Sequence, residues 1–307
     1  MAMTGILRPG HVQLRVMELG PALHHYKEMV GLIETARDAE GRVYLKAWDE
    51  HDLFSIVLRE ADRPGMDFYG FKVLDAKTLE HYAKRLTDYG VAIERIPAGE
   101  LKGTGERVRF ETPSGHLIEL YAEKQHVGNG LPDVNPDVWP DGLKGMHPSR
   151  FDHVLLNGDS IPETARLFQE ALDFDLSERI VGPDGSMVGA FLSCSDKAHD
   201  VAFIHEDSKG RLHHVSFYLE SWDEIRHAAD IMSKNYIPVE YGPGRHGLTR
   251  GLTIYFFDPS GNRNETFHGG YIRYPDHPVI TWTHEEVPKG IFYYGHKMVE
   301  SFVTANT

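Results

Sequence analysis

The sequence predicts an α+β fold: four repeated strand–helix–three-strand units paired into two domains. Three observations carry this. Thr112-Pro113-Ser114-Gly115 reappears as Asp258-Pro259-Ser260-Gly261, and Glu119 falls where Glu265 falls, both 146 residues apart. At the same offset His81-Tyr82-Ala83 matches His227-Ala228-Ala229, while His11-Val12-Gln13-Leu14 returns 142 residues on as His153-Val154-Leu155-Leu156. The four-residue difference is one loop insertion. Within the second half, His153-Val154 and His214-Val215 each open a strand that runs into a helix, so each half divides again. A three-stranded or larger sheet backed by one helix buries a single face. Such units must pair, and their curved sheets enclose a concave cup suited to a small molecule.

The elements follow in order. Gly128 to Pro148 is rich in Gly, Pro, Asn and Asp and reads as a linker, placing an N-terminal domain at 1–148. A second domain spans 149–270, and 271–307 is an extension expected to pack on it. In that second domain Ser160-Ile161-Pro162-Glu163 and Ser221-Trp222-Asp223-Glu224 read as capping boxes. After the first, Leu167, Phe168, Ala171 and Leu172 form a helical apolar face; after the second, Ile225, Ala228, Ala229 and Met232 do. Met187 to Phe191, Val201 to Ile204, Ile237 to Tyr241 and Gly251 to Phe257 read as strands, the last closed by the Asp258–Gly261 turn.

Composition bounds the function. With 307 residues, 41% hydrophobic and 11% aromatic, the chain can bury a sizeable core. Acidic residues exceed basic ones 46 to 32, a formal charge of −14, which disfavours a nucleic-acid partner. No apolar run approaches a membrane span, and the first residues lack the pattern of a secretory leader, so a cytoplasmic protein is expected. The one cysteine, Cys194, reads as a small core residue. Histidine, at 19 residues, is the outlier.

Glu265 sits in a strand whose alternate positions should be half buried, so its charge needs a partner. Pairing the two units of the second half brings the strands of His153, His214 and Glu265 together. Two imidazoles and a carboxylate on one face of an octahedral metal, with the remaining positions open, make the facial triad of non-haem Fe(II) oxygenases. Arg263, two residues away on the same face, is the alternative partner for Glu265. His153 and His214 also read as ordinary strand-start histidines, and spacings of 61 and 51 residues form no ligand motif alone. Alternation puts the adjacent His213 on the opposite face from His214.

The stretch Gly244, His246, Ile254-Tyr255, Asp258-Pro259, Gly261, Glu265 resembles the signature of extradiol ring-cleavage dioxygenases, with every element in order. The likeness extends over the chain and its four-unit organisation, implying the vicinal-oxygen-chelate, glyoxalase-like cup. It implies Fe(II) held by His153, His214 and Glu265, with the N-terminal half carrying no metal. Phe68 stands there at the position of His214, although His11 and Glu119 match His153 and Glu265. Carried over likewise, His199 in Ala198-His199-Asp200 is the acid–base residue, chosen over His205 across the same strand. His246 and Tyr255 match the hydrogen-bond donors to substrate and oxygen. The implied reaction is cleavage of catechol, or substituted catechols, by dioxygen beside the hydroxyl-bearing carbons, giving 2-hydroxymuconic semialdehyde from catechol. A homo-oligomer, a tetramer, is implied in the same way. Tyr271, Tyr274, Phe292, Tyr293, Tyr294 and Phe302 are aromatics able to close the cup. A glyoxalase-like metal-dependent lyase or isomerase, or a metal-free small-molecule-binding protein, remains an alternative on this architecture.

Overall fold

A computed structural model describes residues 5–307; the first four residues of the segment read above as lacking a leader lie outside it. The first unit is β1 (Ile6–Val16), α1 (Leu19–His24) continuing as a wider π-helical turn (His25–Val30), β2 (Ile33–Arg37), β3 (Val43–Lys46) and β4 (Ile56–Glu60). The second is β5 (Gly65–Val73), α2 (Ala76–Tyr89), β6 (Ile93–Ile96), β7 (Arg107–Glu111) and β8 (Leu117–Tyr121). The third is β9 (Arg150–Gly158), α3 (Ile161–Leu172), β10 (Asp175–Val181), β11 (Met187–Ser193) and β12 (Val201–His205). The fourth is β13 (Arg211–Tyr218), α4 (Trp222–Lys234), β14 (Val239–Arg245), β15 (Gly251–Phe257) and β16 (Arg263–Gly269). Strand, helix, three strands thus occurs four times. Beyond it lie β17 (Ile280–Thr283), a 3₁₀ turn, α5 (Val287–Ile291) and α6 (Glu300–Thr304).

Two units share each sheet. The first sheet runs β2-β3-β4-β1-β5-β8-β7-β6 and the second β14-β15-β16-β13-β9-β12-β11-β10-β17. In both, the opening strands of the two units lie side by side and antiparallel, β1 with β5 and β9 with β13. The helices cover one face. Leu167, Phe168, Ala171 and Leu172 of α3 are buried, as are Ile225, Ala228 and Met232 of α4, on one continuous core. The other face of the second sheet is left for the cup. β17 lengthens that sheet by pairing in parallel with β10. No helix of the described residues is long and apolar enough to cross a membrane.

The two helix starts differ from expectation. Ser221 caps α4, its hydroxyl accepting from the Glu224 N–H, but Glu224 reaches back to the N–H of Glu220 rather than of Ser221. Ser160 makes no cap: its backbone is left-handed, φ 57° and ψ 39°, which turns the side chain away from the first helical N–H groups. The turn from β9 into α3 governs this residue, and only its carbonyl serves the helix, accepting from Thr164 N.

Candidate metal centre

The sheet order assembles the centre. β13 lies between β16 and β9, and Ser216 on β13 is opposite His153 on one side and Glu265 on the other. His214, two residues before Ser216, shares its face. The three side chains are buried, with donor atoms that converge. His153 Nε2 is 3.0 Å from Glu265 Oε2, His214 Nε2 is 3.4 Å from the same oxygen, and the two Nε2 atoms are 3.4 Å apart. Adjacent donors about 2.1 Å from an octahedral ion lie about 3 Å apart. Glu265 Oε2 has no aligned hydrogen-bond donor among the described residues, although it is buried. Its other oxygen accepts from the Thr253 hydroxyl. A buried carboxylate oxygen without a donor, facing two imidazole nitrogens, fits a divalent cation.

The electrostatics agree with that fit. Burial alone would raise the Glu265 pKa, yet His153, His214 and His246 around it hold it well below the usual carboxylate range. Burial lowers His214 to about 4. His153 moves the other way: burial opposes its charge, but Asp152 and Glu265 on either side raise it. Asp152 was not singled out from the sequence, and its Oδ2 accepts from His153 Nδ1 at 2.9 Å. Such a carboxylate fixes the ring so that Nε2 is turned toward Glu265 and His214, where a metal would be held. The dipeptide Asp152-His153 was the only available signal, and strand alternation argued against using it.

Arg263, the alternative partner for Glu265, is engaged elsewhere. It forms a two-point ion pair with Glu240, at 2.6 and 2.9 Å, and donates to carbonyls of His213, Ala305 and Ser301. The expectation that His213 points away from His214 is also corrected. Leu212 is opposite Leu156 and His214 opposite Leu155, so His213 is the extra residue of a β-bulge. The bulge breaks the alternation, and the two Nδ1 atoms lie 2.7 Å apart.

His199 lies between β11 and β12, its ring centroid 4.1 Å from that of His153 and 5.4 Å from that of Phe191. Burial drives its pKa well down, so it stands neutral. Its segment is pinned by the next residue: Asp200 accepts from the N–H groups of Cys194 and Ser195 at 2.8 and 3.0 Å and pairs with Lys197. His205, the rival, lies half exposed near Asp207. Beside Glu265, His246 Nδ1 meets the Ile291 carbonyl at 2.6 Å and Nε2 meets the Tyr255 hydroxyl at 2.9 Å. A carbonyl only accepts, so neutral His246 carries its proton on Nδ1 and Tyr255 donates to Nε2.

A cavity of about 400 Å³ opens over His153, His214 and Glu265. Leu155, Ile180, Phe191, Leu248, Ile291 and Phe302 make its wall apolar, and His199, His246 and Tyr255 also face it. Of the aromatics expected to close the cup, Phe302 lines it and Phe292 packs behind, against Tyr241 and Phe302. Tyr274, Tyr293 and Tyr294 are exposed, and Tyr271 borders a separate polar cavity of about 190 Å³ that shares His199.

Residues 66–125 match the model of the catechol 2,3-dioxygenase-like N-terminal domain, and residues 150–266 that of the glyoxalase/bleomycin resistance protein/dioxygenase superfamily. The chain is 57% identical over 304 residues to a metapyrocatechase of Pseudomonas sp. (strain CF600), covering 99% of both chains. The chain belongs to the extradiol dioxygenase family. A manganese-dependent 2,3-dihydroxybiphenyl 1,2-dioxygenase of Geobacillus genomosp. 3 is 31% identical, over 95% of each chain. Among solved structures, the 2,3-dioxygenase LapB from Pseudomonas sp. KL28 superposes with a TM-score of 0.91 at 55% identity, covering 93% of this chain and 100% of that one. An anaerobic substrate complex of homoprotocatechuate 2,3-dioxygenase from Brevibacterium fuscum gives 0.87 at 26% identity, covering 98% and 92%. As an extradiol dioxygenase the chain has the vicinal-oxygen-chelate fold that the resemblance implied, built from the four units its repeats predicted, and it is a metal-dependent enzyme.

Proposed function

We propose that the protein cleaves catechol and substituted catechols with dioxygen beside the two hydroxyl-bearing carbons, giving 2-hydroxymuconic semialdehyde from catechol. In this reading Fe(II) is held by His153, His214 and Glu265. The observation that carries it is the convergence of three buried donors, one an unpartnered carboxylate oxygen, at an apolar cavity. The manganese-dependent relative makes Mn(II) the second candidate, since two imidazoles and a carboxylate accept either ion.

The metal, when bound, supplies a positive charge that stabilises a phenolate and leaves open positions for both substrates. The chain supplies the rest. Leu155, Phe191, Leu248 and Ile291 take the ring and exclude water. His199, neutral and beside His153, accepts a proton from the second catechol hydroxyl and returns it later. The Tyr255 hydroxyl can turn from His246 to an oxygen on which negative charge develops, and His246, which holds that hydroxyl, faces the same side.

The division into 1–148 without metal, a catalytic 149–270 and an extension 271–307 belongs to this proposal, as does a cytoplasmic homo-oligomer, a tetramer. Anaerobically purified protein given catechol and air should form a yellow ring-opened semialdehyde with no added reductant. Muconate, from cleavage between the hydroxyl-bearing carbons, overturns the reading. Stripped protein reloaded separately with Fe(II) and Mn(II) decides the metal by which ion restores turnover.

A further inference from the structure

His213 has no part in the scheme above, yet it is buried beside a proposed ligand. Its ring is held at both ends: Nε2 lies 2.7 Å from the Phe302 carbonyl and Nδ1 2.7 Å from His214 Nδ1. These two contacts fix where the protons sit. The carbonyl can only accept, so His213 Nε2 carries a hydrogen. A second hydrogen on His213 Nδ1 would force His214 to accept there and to place its own proton on Nε2, pointing at Glu265 and His153. With His213 Nδ1 as acceptor, His214 carries its proton on Nδ1 and keeps a lone pair on Nε2.

We propose that His213 is a positioning residue that sets the tautomer and ring orientation of His214, so that His214 Nε2 is presented as a metal donor. The inference rests on the assignment of His214 as a ligand. The two histidine ligands are thus oriented by different means: His153 by the Asp152 carboxylate, His214 by a neutral relay ending on a backbone carbonyl.

The fold builds the relay deliberately. The bulge at His213 turns its ring toward His214, where an unbroken strand would send it to the far face. The acceptor end is held by Arg263, whose guanidinium donates to the carbonyls of His213, Ser301 and Ala305, and by backbone bonds exchanged between Leu212 and Thr307. The first half keeps the bulge, since Gln13 is opposite Phe68 and Leu14 opposite Met66, which leaves Asp67 as the extra residue. Asp67 turns to Arg15, Arg59 and Gln13 and orients no imidazole. The relay accompanies only the half with the ligand set.

The test is anaerobic Fe(II) affinity by chelator competition, on wild type, His213→Leu, His213→Gln and Glu265→Gln. Glutamine can accept from His214 through its amide oxygen and donate to Phe302 through its nitrogen, which restores the relay without an imidazole. The leucine variant should bind Fe(II) about 10–100-fold more weakly, the usual cost of losing such a partner, and the glutamine variant should recover to within a few-fold of wild type. Wild-type affinity in the leucine variant overturns the proposal, as does a glutamine variant as weak as leucine. His213→Met replaces the leucine variant if that one does not fold. If wild type binds no Fe(II), or Glu265→Gln binds it equally well, the ligand assignment itself fails, an outcome distinct from either result at His213.

Discussion

The two halves place the same residues at the same crossing of strands and neutralise them differently. In the first half His11 is opposite Gly70, and Gly70 opposite Glu119, as His153 and Glu265 flank Ser216 in the second. Phe68 is opposite Gln13 as His214 is opposite Leu155, so the phenyl ring occupies the register of the second imidazole. The strand next to the carboxylate decides the outcome. Arg109 is opposite Glu119 where Tyr255 is opposite Glu265, and Arg107 stands at the position of Thr253. Arg109 donates twice to Glu119 Oε1, at 2.8 and 2.6 Å, and Arg107 Nε lies 3.4 Å from Oε2. In the second half those positions offer only hydroxyls. A buried carboxylate requires a cation; in one half guanidiniums provide it, and in the other neutral neighbours leave Glu265 for a metal. The crossing geometry is shared, and a phenyl ring for an imidazole together with the charge of two neighbours separates a packed core from a candidate metal centre.

The comparison breaks most visibly at its carboxylates. Glu265→Gln should lose bound iron and fall to background turnover while remaining folded. Glu119→Gln should keep one iron per chain and normal turnover, but lose about 3–5 kcal/mol of stability because two guanidiniums are left without their buried partner. Iron content, turnover and denaturant unfolding of the two variants check this; a Glu265→Gln protein with full iron would make the halves equivalent.

His199 sharpens it next. Phe54 lies two residues before Ile56, which is opposite Val12, as His199 lies two before Val201, opposite Val154. The Phe54 ring packs on His11 as His199 packs on His153. His199→Phe therefore gives the second half the first half's residue. It should retain iron and lower turnover by roughly 10²–10⁴-fold, the usual contribution of a general acid–base. Loss of iron in this variant would make His199 a ligand.

The smallest expected effect is the most demanding test. Phe68→His alone should leave iron at one per chain, because Arg107 and Arg109 still satisfy Glu119. Phe68→His with Arg107→Thr and Arg109→Tyr copies the second half's neighbours and should raise iron toward two per chain. Turnover should not change, since Phe54 supplies no proton acceptor. A second iron in the single variant would show that the phenyl alone silences the site.

Much of this was legible in the sequence, for a reason specific to repeats. Glu119 and Glu265, or His11 and His153, align through a common strand register, and the glycine turns that set that register are visible as text. The relation of Phe68 to His214 could be read the same way. What could not be read were features that break local rules. The bulge at His213 defeats alternation, and nothing in Leu212-His213-His214 announces it. Asp152 reaches His153 although neighbours on a strand should diverge. Ser160 has a capping sequence but a left-handed backbone. Arg263 lay near Glu265 in the chain, yet its partner Glu240 comes from β14 and was reachable only through the fold.

Tyr69, on β5 of the first half, donates its hydroxyl to the Asp200 carbonyl at 2.9 Å, and Gly65 N–H donates to Asn262 across the same junction. Asp200 follows His199 directly, so a residue of the half without a ligand set steadies the backbone that carries the proposed proton acceptor. The first half acts here as a buttress: a side chain of one repeat fixes the loop that places the proposed proton acceptor of the other, so the two halves are mechanically coupled.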